Sequence, residues 1–544
     1  MSSHIAASGV EMGIGRSNSS DDASIPHDSG ECRVLLPFDV ISHIMSHSTP
    51  STISALMKTC HAYYREGPKH LLRDGDVLIY ASTVARFMQF ILAQDGARFA
   101  YFRRLEITFG QGKSSVIEQS AELLANPQLS LETLVLCEAE RLLKFDRFAS
   151  SFRTTNPVKT LILQDSGPQT CSALQTLGFC LVDLTVSFGR YVSWPKSENG
   201  LGGDGWSHLI DSLSSHSHTL EVLRCDSGPS GVSLPRHSLP STSTPSRAPR
   251  ARFGAVRTLG LVCTPSSSRS KTPFDLASLV HMFPNVNSLE LIPNSYRGSI
   301  ASRIASSESP GATDKAANLE HGGCWAVLTK CSGELASLCS IGLVCHVVDL
   351  YIWDEIDSDE QLAMLVPIVL SVRPKCLRLA VEGVETLGGV ISALRNPGVE
   401  ALEMLHVVLA MYELYTEGTA LDLAEFIFEA LKLLPPQVTT LDLFIEFKGN
   451  YTHTPKPDSR ALKELGRRLT EAAPTLRHVL VRHADGYRLQ PPNGLHQASD
   501  DSDSYMDGSD SYDDSWGFSD DSWEYGDSDG YDSDFARRCA HSDW

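Results

Sequence analysis

The chain has 544 residues, of which 42% are hydrophobic and 21% charged, and its formal net charge is -20. This share of apolar residues is enough for a large core and excludes a wholly disordered or collagen-like chain. Residues 500–534 contain 13 Asp, one Glu and no Lys or Arg, so most of the net charge belongs to one segment. Because the rest of the chain has no excess of basic residues, we expect no nucleic-acid partner.

Residues 1–33 are rich in Ser, Gly and Asp, and we predict that they form a disordered leader. They contain no apolar run typical of a signal peptide, and the longest apolar run of the chain, residues 362–372, is interrupted by Pro367. The 13 cysteines show no CxxC spacing, which argues against a zinc ribbon or a disulfide scaffold. We therefore expect no membrane partner and a location in the cytoplasm, the nucleus or both.

Residues 34–72 carry two apolar patterns with helical spacing. Pro37 suits the first turn of the first helix, and Thr52 suits the cap of the second. Gly67 followed by Pro68 is expected to end the second helix. The apolar stripe of the first helix consists of Val40, Ile41, Ile44 and Met45. That of the second consists of Ile53, Leu56, Met57, Cys60 and Tyr64.

The rest of the chain repeats the pattern L-x-x-L-x-L, in which L is any apolar residue. The copies begin at residues 102, 131, 158, 181, 220, 256, 286, 338, 374, 399, 438 and 476. Helical patterns separate several copies, at residues 115–124, 274–283, 420–434 and 460–473. Prolines precede several copies, and because Pro ends a helix and favours extended backbone before it, each unit is predicted to run strand, loop, helix.

This series resembles the leucine-rich-repeat family over residues 73–490. The resemblance implies an α/β solenoid in which stacked units share one continuous core. A mixed α/β domain with parallel strands is the alternative. The polar inserts at residues 227–253 and 293–320 are predicted to be surface loops, and residues 491–544 a disordered acidic tail.

Residues 34–72 resemble the F-box family. Leu36-Pro37 opens the first helix, and the second apolar pattern ends in a Cys and an aromatic residue, whereas Ser48 and the Tyr replace a usual Leu and Trp. The family implies a helical module that binds the Skp adaptor of a cullin-RING ubiquitin ligase, while the repeats hold a protein substrate. The implied adaptor-binding residues are Leu36, Pro37, Val40, Ile41, Ile44, Met45, Ile53, Leu56, Met57, Cys60, Tyr63 and Tyr64. The alternative is a helical hairpin that caps the first repeat of a scaffold with no ligase link.

In a strand with one buried face, the residue between two paired apolar residues lies on the opposite face. This position is charged in six of the twelve copies, with both signs present, which favours a protein target over a polyanion. The candidate target-binding residues are Glu106, Arg224, Glu290, Arg378, Glu403 and Asp442.

We expect a non-catalytic protein without cofactor or metal. Gly112-Lys113-Ser114 follows a predicted strand, but Ile107 stands where a phosphate-binding loop needs its first Gly. His43 and His47 lie four residues apart without the Glu or third ligand of a zinc site. In residues 500–534, seven aromatic residues alternate with acids, which is compatible with a motif for a basic partner or with a solubilising segment.

Overall fold

The computed structural model of the chain describes residues 37–73, 77–80, 84–93, 96–108, 114–155, 158–189, 205–226, 251–262, 276–292, 324–411, 420–448 and 459–485. The described residues up to Gly67 form one compact unit, and those from Pro68 onward form a second, much larger one. The predicted leader and acidic tail, Leu36, residues 227–250 and the insert at 293–320 lie outside the described residues.

The first unit contains helices α1 (Phe38–Ser46) and α2 (Pro50–Met57) and the start of α3 (His61–Arg73). Thr49, not Thr52, caps α2, because the Thr49 hydroxyl accepts a hydrogen bond from the Thr52 amide at 3.4 Å. The predicted second helix is wrong beyond Met57, because α2 ends there. The expected stop at Gly67 and Pro68 lies inside a separate helix, α3, which begins at His61.

A packing requirement explains why glycine stands at this point of α3. A Cβ atom on Gly67 would lie 2.2 Å from Cγ of Met57, so any larger residue would displace the buried Met57 side chain or push α3 away from α2. The spacing of the sequence does not reveal this contact, so the Gly-Pro pair predicts a helix end that the structure does not have.

The second unit is an α/β structure built on one sheet, with fourteen strands in the described residues. Every neighbouring pair is parallel, and the order of the strands across the sheet equals their order in the chain. The strands are β1 Val77–Tyr80, β2 Arg104–Thr108, β3 Thr133–Leu136, β4 Thr160–Ser166, β5 Asp183–Phe188, β6 Val222–Asp226, β7 Thr258–Val262, β8 Ser288–Ile292, β9 Val327–Gly333, β10 His346–Ile356, β11 Cys376–Glu382, β12 Met404–Met411, β13 Thr440–Phe447 and β14 His478–Asp485.

Helices connect most strands, as parallel pairing requires a crossover between neighbours. They are α4 Val84–Leu92, α5 Ser114–Leu124, α6 Ala139–Leu142, α7 Asp146–Thr154, α8 Pro168–Gln175, α9 Gly205–Ser212, α10 Leu276–Met282, α11 Leu335–Ile341, α12 Asp359–Val372, α13 Gly383–Leu394, α14 Ala420–Leu431 and α15 Ser459–Ala472. Short 3-10 helices span Ala97–Tyr101 and Ser214–His216. No described helix combines the length and the apolar character that crossing a membrane would need.

The core lies on one face of the sheet, where a row of apolar residues runs through consecutive strands. Each residue of the row is paired in register with the next, and each is fully buried. The row consists of Leu105, Leu134, Leu161, Leu184, Leu223, Leu259, Leu289, Cys331, Leu350, Leu377, Leu405 and Leu441. Because the period of a strand is two residues, the alternate positions lie on the opposite face. We call it the open face, although Val135, Glu290 and Ser332 on it are buried.

Two predicted copies need correction. The copy at residue 338 is not a strand, because Leu338 and Ile341 lie in α11, which ends at Gly342 with a φ of 61°. The copy at 399 is displaced by three residues, since the inward residues of β12 are Leu405 and Val407. The structure also contains β1, β9 and β10, which the sequence did not predict.

The predicted insert at 227–253 ends earlier than expected. Phe253 is fully buried, and its ring stacks on that of Phe283 with a centroid distance of 5.2 Å. Phe253, the last residue of this predicted insert, therefore belongs to the core.

Candidate protein-binding surfaces

Helix α1 has apolar side chains on more than one face. Ile41 and Met45 are buried, whereas Phe38, Val40 and Ile44 are 48%, 39% and 41% exposed. A helix that only covered its neighbours would place polar residues at such outward positions. Val40 and Ile44 lie about one helical turn apart on the same side of α1, whereas Phe38 lies on a different side, against Tyr63. Val40 and Ile44 therefore form a candidate docking surface, which we call the α1 surface.

The predicted adaptor-binding residues divide into two groups. Ile41, Met45, Ile53 and Met57 are buried among the helices and hold the unit together. The others are exposed or half-buried, apart from Leu36, which lies outside the described residues; they are Pro37, Val40, Ile44, Leu56, Cys60, Tyr63 and Tyr64.

Contacts within the unit position the α1 surface. The rings of Phe38 and Tyr63 stack with a centroid distance of 6.3 Å and an interplanar angle of 16°. The Ser42 hydroxyl donates a hydrogen bond to Glu66 at 3.0 Å. Both contacts join α1 to α3, so the outward residues of α1 are carried on a braced helix.

The second surface is the open face of the sheet, where one row of residues crosses all the strands from β2 to β14. Adjacent members are register partners on neighbouring strands. We call this set the outer row. Its members are Glu106, Val135, Ile162, Thr185, Arg224, Gly260, Glu290, Ser332, Tyr351, Arg378, His406, Asp442 and Leu480.

Five of the six predicted target-binding residues belong to the outer row, and Glu403 does not. Glu403 lies one residue before β12, and His406 occupies the position in the row. The Glu403 carboxylate is 4.0 Å from the Lys375 ammonium group, and both side chains are exposed. The error follows from the three-residue displacement of the predicted copy at 399.

Arg224 and Glu290 form an ion pair that crosses an intervening strand. The Arg224 Nε atom donates a hydrogen bond to Glu290 Oε2 at 2.9 Å, although β7 lies between their strands. The residue of β7 at this position is Gly260, where a Cβ atom would lie 2.9 Å from Arg224 Cγ. The absence of a side chain at Gly260 therefore makes room for the arginine.

A second carboxylate faces the same guanidinium group. Asp183 Oδ1 is 3.7 Å from Arg224 Nη1, and this oxygen is buried without a hydrogen-bond partner. Burial raises the pKa of Asp183, and the charge of Glu290 adds to this effect, while Arg224 opposes it. Arg224 is thus the shared positive partner of two carboxyl groups near the middle of the open face.

The strands from β10 to β14 hold a second polar cluster. Arg378 binds Asp349 through two nitrogens, each 3.1 Å from a carboxylate oxygen. Asp442 accepts hydrogen bonds from Arg482 at 2.7 and 2.9 Å and contacts His406 Nδ1 at 3.1 Å. The Arg378 and Arg482 side chains remain about half exposed, so their guanidinium groups are accessible from the open face.

Burial also changes the acidity of groups beside this cluster. It raises the pKa of the Tyr351 hydroxyl, although Arg378 opposes the shift. It raises the pKa of the Cys376 thiol to about 11, with a contribution from Asp349. Both groups therefore stay protonated at neutral pH and can donate hydrogen bonds.

At the other end of the outer row, Glu106 contacts a cysteine. The Cys137 thiol lies 3.8 Å from Glu106 Oε1, and burial raises the pKa of this thiol to about 11. Cys137 is therefore a neutral partner of the carboxylate and a poor nucleophile.

The sequence missed Ser332, Tyr351 and His406 as members of the outer row, because β9 and β10 were not predicted and β12 was displaced. A signal was present for β10, since Val347, Leu350 and Ile352 have the spacing of the repeat and are buried.

The described residues contain no group of three or more His, Cys, Asp or Glu side chains arranged to hold a metal ion. The rings of His43 and His47 meet edge to face with a centroid distance of 4.8 Å. Gly112 and Lys113 of the phosphate-loop alternative lie outside the described residues. No known family model matches the sequence, and no curated protein matches it either.

Proposed function

We propose that the protein is a non-catalytic substrate receptor of a Skp–cullin–RING ubiquitin ligase. In this proposal, residues 34–72 are an F-box-like module that binds the Skp-type adaptor, and residues 73–490 are a leucine-rich-repeat-like solenoid whose open face binds a protein target. The observation that carries the proposal is the α1 surface, because two exposed apolar residues one turn apart on a short helix are suited to a helical partner.

The open face supports the second half of the proposal. The outer row carries charges of both signs, and the guanidinium groups of Arg378 and Arg482 are about half exposed. Such a mixed surface discriminates between protein partners through charge complementarity. A polyanion would instead require a continuous basic surface.

The adaptor interaction is tested by copurification of adaptor and cullin with the full chain. Replacing Val40 and Ile44 by Glu should abolish copurification, because each buried aliphatic side chain contributes roughly 1.5 to 3 kcal/mol and each 1.4 kcal/mol is about tenfold in affinity. Both residues are exposed, so the fold of the unit should survive. Leu433→Glu is the matched control, since Leu433 is an equally exposed apolar residue of the other unit.

The second candidate is a repeat scaffold without a ligase link, and one contact favours it. Ser48 stands where the F-box family usually has Leu, and its hydroxyl donates a hydrogen bond to the Ile44 carbonyl at 2.7 Å. This side chain contributes a backbone contact instead of an apolar one. Failure of the unaltered chain to copurify adaptor and cullin would support the scaffold function and refute the ligase proposal.

A further inference from the structure

The last strand of the sheet is less well covered than the strands before it. In β13, Leu441, Leu443 and Ile445 are fully buried, whereas Val479 and Val481 of β14 are only partly buried. On the open face of β14, Leu480 is 49% exposed. Within the described part of the chain, β14 has a strand neighbour on one side only. This end of the sheet therefore presents apolar side chains beside an open strand edge.

The same end of the sheet is basic in a chain that is acidic overall. Residues 459–485 contain six Lys and Arg against three Asp and Glu. Several of these cations are neutralised by nearby carboxylates, as in the contacts of Arg467 with Glu464 and of Arg468 with Glu425. Lys463 and Arg477 are exposed, and the structure gives their side chains no carboxylate partner among the described residues.

The geometry of α15 places Lys463 at the end of the array. Arg468 packs toward α14, where it binds Glu425 and lies 4.0 Å from the ring centre of Phe428. Lys463 is five residues away, which is roughly 140° around a helix with 3.6 residues per turn. Its side chain therefore leaves α15 on the side away from α14. We call Lys463, Arg477, Val479, Leu480 and Val481 the terminal surface.

We propose that the terminal surface binds the acidic segment of the same chain, residues 500–534. This segment has 14 carboxylates for the basic groups and seven aromatic residues for the exposed apolar ones, and it has no Lys or Arg of its own. Fourteen residues separate it from Asp485 at the end of β14. That length of chain spans up to about 48 Å when extended, so reach is not limiting.

A second copy of the chain fits the terminal surface less well. Pairing two terminal surfaces would bring Lys463 and Arg477 of one copy close to the same residues of the other, and like charges repel. The acidic segment also has the advantage of belonging to the same chain, since a short tether gives an effective concentration on the order of millimolar. The proposal does not rest on the ligase function, because it needs neither the adaptor nor a target; Leu480 is the one residue that the terminal surface shares with the outer row.

Zero-length cross-linking of the full chain tests the proposal. A carbodiimide joins a lysine amine to a carboxylate only where the two are in contact, and mass spectrometry identifies the linked residues. We expect links from Lys463 to residues 500–534 to exceed links from Lys144 by at least about fivefold, because charge complementarity holds the segment at the terminal surface, which includes Lys463 and not Lys144. Lys144 is the matched control, since it is exposed between α6 and α7, in an early unit of the array. Raising the salt from about 0.1 M to about 1 M should remove the preference, because the screening length falls from about 10 Å to about 3 Å.

Two variants test whether the cross-links depend on Arg477, and an isotope mixture tests whether they form within one chain. Arg477→Glu should reduce the Lys463 links several-fold, whereas Arg153→Glu, the same exposed charge reversal on α7, should leave them unchanged. In an equal mixture of ¹⁴N and ¹⁵N chains, the links should join residues of one chain. Equal labelling of Lys144 and Lys463, or links only between chains, would overturn the proposal, the latter assigning the surface to a second copy.

Hydrogen exchange gives an independent measurement in the full chain. Replacing Asp513, Asp514, Asp520 and Asp521 by Asn should increase the exchange of the β14 amides and leave that of the β4 amides unchanged. Unchanged exchange in β14 would mean that the acidic segment does not cover this strand.

Discussion

Replacing Arg224 by Met tests the ion pair that crosses β7. The substitution keeps most of the length of the side chain and removes its charge, so that Asp183 and Glu290 lose their shared cation. The side chains of Arg224 and Glu290 are 18% and 4% exposed. Breaking a buried pair by removing one partner costs about 3 to 5 kcal/mol. Because the arginine keeps some contact with solvent, we expect the lower end, about 3 kcal/mol at neutral pH.

The stability lost in Arg224→Met should depend on pH, because Asp183 titrates. Burial raises the pKa of this carboxyl and Arg224 opposes the shift, so removing Arg224 raises the pKa further. A carboxyl whose folded pKa is raised contributes stability that is present below its unfolded pKa and lost as the pH rises through its folded pKa. The difference in stability between the variant and the unaltered chain should therefore be largest near pH 7 and smallest near about pH 4.

Urea unfolding followed by circular dichroism, with hydrogen exchange of the β6 to β8 amides, measures both effects. Arg147→Met is the control, because Arg147 pairs with Glu122 at 2.7 Å on the surface and both side chains are more than half exposed. A loss below about 1 kcal/mol for Arg224→Met, or an equal loss at both pH values, would refute the reasoning, since it would mean that the buried carboxylates do not depend on the arginine.

Three further outcomes are expected. Gly333→Ala should lower the free energy of unfolding in urea by about 1 to 3 kcal/mol, because the new Cβ would lie 2.7 Å from Leu291 Cβ and push β9 from β8. Gly388→Ala is the control and should not lower it, because the space around Gly388 is open. Cys171 should be alkylated much more slowly than exposed Cys60 at about pH 8, since burial raises the pKa of Cys171 to about 12; equal rates by mass spectrometry would contradict this. Arg378→Glu should reduce target capture in proximity labelling by placing a carboxylate beside Asp349, whereas surface Arg147→Glu should not; equal capture would move the target site off the β10–β14 cluster.

The strands were predictable where a single register of apolar residues was present. Leu105 and Ile107 in β2, like Leu441 and Leu443 in β13, have the predicted spacing and are fully buried. Around residue 400 the repeat pattern fits the sequence in two ways, starting at Val399 or at Leu402. Only the pairing of β12 with β11 and β13 shows that the second is correct and that Leu405 and Val407 are the inward residues. A three-residue ambiguity of this kind moved Glu403 into the predicted binding set and left His406 out.

Helix and strand spacing coincide in the first half of the repeat pattern, which explains the error at residue 338. Leu338 and Ile341 are three residues apart, as one face of a helix also requires, and Gly342 in the left-handed region ends that helix. The Arg224–Glu290 contact was beyond prediction for a different reason. It joins residues 66 apart across a third strand, so it depends on the register of two strand pairs and on the lack of a side chain at Gly260.

The order of the strands has a consequence for how the chain folds. Each strand of the described residues pairs only with its neighbours in sequence, so none of these strands must wait for a partner that is synthesised much later. During synthesis from the N-terminus, each new strand can add to the edge left by the one before it. Contacts of this local kind also keep the entropy lost in closing each loop small. The nascent sheet can therefore grow one unit at a time as the chain leaves the ribosome, with a new edge exposed after every step.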